Sequence, residues 1–478
     1  MNKPHKFSVL AIVILLILLF VSVSVAAASP ATNQALVTKP TATLKPSATL
    51  KPTQTASPTK VPPTATKVPA TPTKAPTATK ISTPTKVVQP TATAGPGSFT
   101  MAQTLSDGAQ LDTLSFDGFG FITGSLGADS FFPPGKVADF WGFQYLRDND
   151  PEGMGHNTDF LTRASLNMFS ILTSDQKAQL IALANSQATS INDYAYRRFV
   201  LMTAFRRMLS GSLPAGTTGL NQTAVESFSA DLYQLDGEIS YPRAQVMGGI
   251  LQNLNTTQKA YLDAMVGKSM NYWPVVAEPV ELKGLSGDVK TAVMTYAGDM
   301  FSWYSSTLNA DVYFCPERQG TYFGSFYLKD APAVGNPGYS IGTNITADYG
   351  QYFRNSLTSS QVPLITNLVS IQKPSLLSIV NIRTQIATEL RKYKSGGSTT
   401  QATVTALMRQ YGQLDGTIIY NYATNFSAVN KTLTVTQQAQ LTALRIQLLS
   451  SLSLPTTAYL YAAPISYPTV QNTDFLFK

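Results

Sequence analysis

The sequence predicts a mainly α-helical fold: two tandem helical-hairpin domains with short extended aromatic segments, carried behind a disordered Pro/Thr-rich spacer. Three observations predict it. The segment LTSDQ (Leu172–Gln176) returns as LNTTQ (Leu254–Gln258), LTSSQ (Leu357–Gln361) and LTVTQ (Leu433–Gln437). Apolar residues after these segments recur at intervals of three and four. An aromatic stretch is written twice, at a separation that divides the chain in two.

Lys3 and Lys6 precede an uncharged apolar run, Val9–Val25, and Ala26–Ala28 offer small residues for cleavage. That is the pattern of an export signal. Residues 1–28 are read as a signal peptide, with an uncleaved N-terminal anchor as the alternative. Residues 29–98 repeat PTAT, PTK and KPT units. Proline fixes φ and removes a donor, and Thr, Ala and Lys bring no large apolar group, so no core forms there. About 70 such residues drawn out as polyproline II reach on the order of 200 Å, enough to hold a domain away from a membrane or wall.

The net charge of +8 belongs to these leading segments. Residues 1–106 hold ten Lys and no acid, leaving 25 basic and 27 acidic residues beyond them, a balance of −2. A near-neutral folded part argues against nucleic-acid binding. The spacer lysines suit contact with anionic cell-wall polymers, and membrane contact is expected only through an uncleaved N-terminal segment. Cys315 is the single cysteine, so an intrachain disulfide is excluded. His5 and His156 are the only histidines, which excludes a His-rich metal site and a haem-attachment motif.

Ala128–Asp148 aligns without a gap over Ala310–Asp330 at an offset of 182, with 8 of 21 positions identical. LTSDQ and LTSSQ follow at an offset of 185, and at that offset Gln187, Arg198 and Arg206 fall over Gln372, Arg383 and Arg391. YQLDGEI (Tyr233–Ile239) then matches YGQLDGTI (Tyr411–Ile418), with Asp236 over Asp415. The period is that of a whole domain and not of a short solenoid repeat. It places domains at 99–308 and 309–478. NTDFLF at the C-terminus echoes NADVYF at Asn309–Phe314 and is expected to pair with an earlier copy; ADVYF reads as a short strand.

The helical pattern runs through Leu180, Leu183, Ala184, Phe199, Met202 and Phe205, and through Leu364, Leu368, Leu376, Ile379, Ile382, Ile386 and Leu390. Ser210–Gly211 and Ser395–Gly397 stop these helices, and Pro242 and Pro374 are expected to kink theirs. Thr or Asn, two residues, then Gln is a capping box. The hydroxyl or amide oxygen at Thr173, Asn255, Thr358 and Thr434 accepts from the third helical N–H. Gln176, Gln258, Gln361 and Gln437 reach back to the cap. Each cap contributes about 0.5–2 kcal/mol.

Two such motifs bracketing Gln- and Arg-bearing helices, once in Asp159–Met270 and again in Asn344–Leu452, resemble the periplasmic LTXXQ family of Spy/CpxP-like proteins. The resemblance implies an all-helical, extracytoplasmic protein that acts as an ATP-independent chaperone or envelope-stress sensor. Family members are short single units, whereas two are fused here. The tandem then acts as a covalent pseudo-dimer, monomeric in chain number.

Arg198, Arg206, Asp236, Arg383, Arg391 and Asp415 are kept in both copies. Interhelical ion pairs are the favoured reading and a polar ligand pocket the alternative. Glu238 becomes Thr417 in the second copy, so a glycosidase carboxylate pair exists once at most. Met154–His156 lacks further ligands, and Cys315 beside Pro316 reads as a small packed residue. No nucleophile elbow, phosphate loop or dinucleotide fingerprint is present. No catalytic residue, metal or cofactor is therefore assigned.

Phe140, Trp141 and Tyr145, with Tyr322, Phe323 and Tyr327, are the candidate surface for unfolded or envelope protein clients, or else arms that cover the helices. The expected function is an exported, non-enzymatic binding protein, periplasmic, cell-surface or secreted. The alternative is a surface-displayed structural or adhesion module on a wall-spanning spacer.

Overall fold

The computed structural model describes residues 105–124, 159–268, 270–305, 308, 331–333, 336–341, 344–451, 470 and 472–478. The N-terminal segment and spacer, Phe140, Trp141, Tyr145, Met154–His156, Cys315, Tyr322, Phe323 and Tyr327 lie outside them. The chain divides into two units, Met1–Thr93 and Ala94–Lys478. The second, described below, is mainly helical.

Helix α1 (Asp107–Thr123) is capped by Ser106, whose hydroxyl accepts from Ala109 N at 3.4 Å. Helix α2 (Asp159–Ile171) turns sharply into α3 (Ser174–Ser210), which stops at Gly211 with φ of 75°. Asn221 caps α4 (Gln222–Gln252), and α5 (Thr256–Asp263) follows. A 3₁₀ turn at Met270–Tyr272 and the short α6 (Val280–Lys283) lead to α7 (Gly287–Ser305). Strands β1 (Ala331–Ala333) and β2 (Asn336–Ile341) form a small antiparallel hairpin that the sequence pattern does not announce. The strand expected at ADVYF lies outside the described residues.

The second half then runs α8 (Asn344–Asn355), α9 (Val362–Arg391), a 3₁₀ turn at Lys392–Ser395, α10 (Gln401–Thr432) and α11 (Val435–Ser451). Gly396, at φ of 83°, ends the 3₁₀ turn. Helices α4 and α9 continue through Pro242 and Pro374. Each proline withholds one backbone donor, and the rest of the ladder carries the helix past it.

Helix α3 packs on α4, and α9 packs on α10. The most extensive contact joins the halves, α4 against α10. Glycine makes this approach possible. A Cβ on Gly412 would lie 2.5 Å from Ser229 O and 2.6 Å from Tyr233 Cβ. One on Gly416 would lie 2.7 Å from Glu226 Cα, and one on Gly237 would lie 3.1 Å from Thr405 Cα. The contacts are reciprocal: at the offset of 179 that relates Asp236 to Asp415, Gly237 is the equivalent of Gly416 and Glu226 of Thr405.

The outer helices follow a crossed path. Helix α7 packs on α2, α3 and α4, the helices before it in the chain. Helix α1 packs instead on α8, α9, α10 and α11. At the 182-residue offset the two are equivalents, with Asp117 over Asp299 and Phe119 over Phe301. The second half is thus completed by a helix from the start of the folded unit. Of the two outer helices in 99–308, α1 packs on the helices of 309–478 and α7 on those of its own half. One hydrophobic core, from Leu114 and Phe119 through Tyr233 and Met408 to Phe426, runs across the 308/309 boundary.

Close helix packing makes a paired prediction. Gly412→Ala is expected to lower stability by about 1–3 kcal/mol through overpacking. Gly249, also helical, has nothing within 4 Å of a built Cβ. Gly249→Ala is expected to be neutral or to stabilise by up to about 1 kcal/mol through helix propensity. Urea unfolding followed by circular dichroism separates the two; equal effects would remove the close-approach argument.

Candidate functional site

The four LTxxQ motifs meet in pairs. Thr173 and Gln176 form a complete capping box, with Gln176 N donating to Thr173 Oγ1 at 3.3 Å and Thr173 N to Gln176 Oε1 at 2.9 Å. Asn255 with Gln258, and Thr434 with Gln437, do the same. The fourth box is half made. Thr358 N donates to Gln361 Oε1 at 2.8 Å, but the Gln361 N–H goes to the Thr358 carbonyl at 3.0 Å. The Thr358 hydroxyl pairs with that of Ser360, and the helix begins later, at Val362. Pro363 sits in that first turn, where its missing N–H costs nothing.

Capping leaves each glutamine's amide nitrogen to reach elsewhere, and it crosses to the partner motif. Gln258 Nε2 donates to Gln176 Oε1 at 2.8 Å and to Ile171 O at 2.7 Å. Gln176 Nε2 lies 3.5 Å from Asn253 O. In the second half Gln437 Nε2 donates to Gln361 Oε1 at 2.7 Å and to Ser356 O at 2.8 Å, while Gln361 Nε2 donates to Thr432 O at 3.0 Å. All four glutamines are buried. Each pair therefore clasps two helix corners, satisfying carbonyls that a helix end leaves open. The sequence reading found the caps and missed the clasp.

The six residues of the expected polar network separate. Arg198, Asp236, Arg383 and Asp415 are buried between the long helices. The Tyr233 hydroxyl donates to Asp415 Oδ2 at 2.6 Å, and Tyr233 meets Tyr411 edge-on with centroids 4.7 Å apart. The Arg383 guanidinium lies 5.8 Å from the Tyr411 ring. Ser240 Oγ donates to Asp236 Oδ1 at 3.0 Å and accepts from Arg243, which also pairs with Asp299 at 3.2 Å. That Arg243–Asp299 pair, wholly inside the protein, ties α4 to α7. Sequence reasoning did not single it out, although Asp299 repeats Asp117 at the aromatic offset.

Gln187 and Gln372 hold the outer helices. Gln187 Nε2 donates to Ile239 O at 2.9 Å and its oxygen accepts from the Tyr296 hydroxyl of α7. Gln372 Nε2 donates to Gln110 of α1 at 3.0 Å, and its oxygen accepts from the Tyr422 hydroxyl. Burial, with the charges of Asp117 and Asp415, holds the Tyr422 phenol well above its ordinary range, so it stays a donor.

Arg206 and Arg391 lie away from this centre, at the C-terminal ends of α1 and α7. Arg206 stacks over Phe121 at 4.9 Å, near Arg445, which donates to Thr123 O at 2.9 Å. Arg391 neighbours Lys394, which donates to the carbonyls of Trp303 and Tyr304. Cations at helix C-termini oppose the dipole and occupy open carbonyls. Both ends lead directly into the aromatic segments.

Among the described residues no group of three or more His, Cys, Asp or Glu is arranged to hold a metal ion. No helix among them is long and apolar enough to cross a membrane. Compared with protein-family models, curated proteins and solved structures, the chain has no match.

Two predictions follow from this geometry. In a double-mutant cycle, Gln176→Ala and Gln258→Ala are each expected to destabilise by about 1–3 kcal/mol, with a coupling of about 0.5–3 kcal/mol. Purely additive effects would reduce the motifs to independent caps. The second concerns pH. Burial, aided by the Arg391 charge, pushes the Lys394 amine down from 10.5 to about 8. Between those values the unfolded chain binds the extra proton, so stability rises with pH across that window. Below about 8 the cost of charging is present in full. Lys394→Met is expected to remove the rise, read as unfolding midpoints from pH 7 to 10.5; an unchanged slope would assign it to other groups.

Proposed function

We propose that the chain is an exported, non-enzymatic binding protein of the LTXXQ kind, an ATP-independent chaperone or envelope-stress binder built as a covalent pseudo-dimer. The observation that carries this reading is the pairing of motifs in both halves, Gln176 with Gln258 and Gln361 with Gln437. A motif used twice in the same reciprocal way supports the reading of two homologous helical-hairpin domains over four unrelated caps. The near-neutral charge of the folded unit supports protein clients over nucleic acid. The candidate client surface is the pair of aromatic segments carrying Phe140, Trp141, Tyr145, Tyr322, Phe323 and Tyr327, which follow α1 and α7 in the sequence.

The Pro/Thr tract supports a second reading, a surface-displayed structural or adhesion module on a wall-spanning spacer. The two differ in breadth of binding: a chaperone takes several unfolded proteins weakly, an adhesin one partner or polymer.

Residues 94–478, at near-stoichiometric amounts and without ATP, are expected to slow aggregation of two unrelated chemically unfolded reporter proteins. Aspartate or serine at Trp141 and Phe323 is expected to weaken that effect while leaving helicity intact. A folded, helical sample that protects neither reporter would remove the chaperone reading and leave the surface module.

A further inference from the structure

Among the described residues the C-terminal segment pairs with the loop between α3 and α4; the earlier aromatic copies, expected as its partner, lie outside them. Lys478 N donates to Gly219 O at 2.9 Å, Thr218 N to Lys478 O at 2.6 Å, and Asn221 N to Leu476 O at 2.8 Å. Leu220 and Phe477 form an antiparallel bridge. Side chains then read the segment. Arg207 donates to Thr473 Oγ1 at 2.9 Å and to Asp474 Oδ1 at 2.6 Å, and its guanidinium lies 5.1 Å from the Phe477 ring. Phe475 packs on Phe228 with centroids 5.6 Å apart, and Leu476 is fully buried. Asn472 Oδ1 accepts from Asp474 N at 2.8 Å, which shapes the single 3₁₀ turn at Asp474–Leu476.

This is the anatomy of a peptide complex: main-chain pairing on an exposed backbone edge for affinity, and pockets for chosen side chains for specificity. Each of these contacts is made by residues 472–478 themselves. The side chains of Phe475 and Asp474 are about half exposed or more, so the segment lies along the surface. The five letters NTDFL also occur at residues 157–161, but there Asp159 already belongs to α2. The terminal copy is the one in peptide form.

We propose that Arg207, Gly219–Asn221 and Phe228 form a peptide-docking site for an extended Asn-Thr-Asp-Phe-Leu-Phe segment, filled in cis by residues 472–478 and open in trans to the same segment of a second copy. The occupant is argued from the page: the segment seen in the site is present on every copy. Exchange through it links chains without altering the helical core. A one-way exchange leaves a free segment at one end and a free site at the other, so it propagates, whereas a reciprocal exchange closes a dimer.

The test uses the full chain shortened after Val470 and a labelled peptide of residues 471–478. Saturable binding is expected, about tenfold weaker when the chain carries Arg207→Ala, which removes two hydrogen bonds and the Phe477 stack. The intact chain, its site filled, is expected to bind the peptide far less. Phe477→Ala in the intact chain loosens the segment and is expected to raise peptide binding, which keeps the test informative if shortening disturbs folding. Mixing the shortened chain with an Arg207→Ala chain is expected to give a one-to-one complex by light scattering, since one supplies the site and the other the segment. A folded shortened chain that binds neither peptide nor the second chain, with no gain for Phe477→Ala, would overturn the proposal.

Discussion

Everything in the folded unit depends on how closely α4 and α10 approach. Two long helices with ordinary side chains sit about 8–10 Å apart, and buried polar side chains between them need a tighter seam to find partners across it. Gly237, Gly412 and Gly416 supply that seam by leaving out the Cβ that would strike the facing backbone or side chain. The Tyr233 hydroxyl then reaches Asp415, and Tyr411 comes beneath Arg383. The seam also shows why two halves benefit from being one chain. A helix has no room for an inserted residue, so at the constant offset of 179 Tyr233 falls opposite Gly412. Two identical chains would present tyrosine to tyrosine or glycine to glycine at that point. The fused chain places a large residue on one helix and none on the other, and the ring fills the gap.

The glutamine clasps act at the outer ends of the same helices. An amide side chain offers one oxygen with two lone pairs and two N–H donors. In a capping box only the oxygen is used, so a buried glutamine would keep two unsatisfied donors at a cost of about 1–3 kcal/mol. Crossing to the partner motif satisfies them and joins the α2–α3 corner to the α4–α5 corner. The same logic joins α8–α9 to α10–α11. That the box at Thr358 is incomplete while its clasp is complete separates the two roles. The threonine there serves the local turn, and the glutamine serves the tertiary contact.

This separation also explains what was legible in the sequence. Helix starts, helix stops at Gly211 and Gly396, and the burial of Leu180, Phe205, Leu368 and Ile386 follow from signals within a few residues of each position. The clasp depends on where a freely rotating amide finds its second partner, 76 or 82 positions away. Arg243 carries no local mark, because nothing near it says that Asp299 will face it. The polar set of six was identified by repetition alone, which cannot distinguish the buried centre at Arg198 and Asp236 from the helix ends at Arg206 and Arg391. The destination of α1 is the least legible feature: the helix itself was not singled out in the sequence, and nothing near Asp107–Thr123 says that it will pack on α8, α9, α10 and α11.

That groove choice has a physical consequence. Helix α7 completes the first half from downstream, but no described helix after α11 does the same for the second, and α1 supplies it from the opposite end of the unit. Residues 472–478 return the favour by docking on the first half. Each end of the folded unit is therefore fixed to the half that is distant in sequence, so neither half loses its terminal elements without disturbing the other. Fraying at an end, ordinarily the cheapest local opening of a helical protein, here exposes core around Phe119 or Leu476. The aromatic segments leave from the ends of α1 and α7, which this closure holds in place.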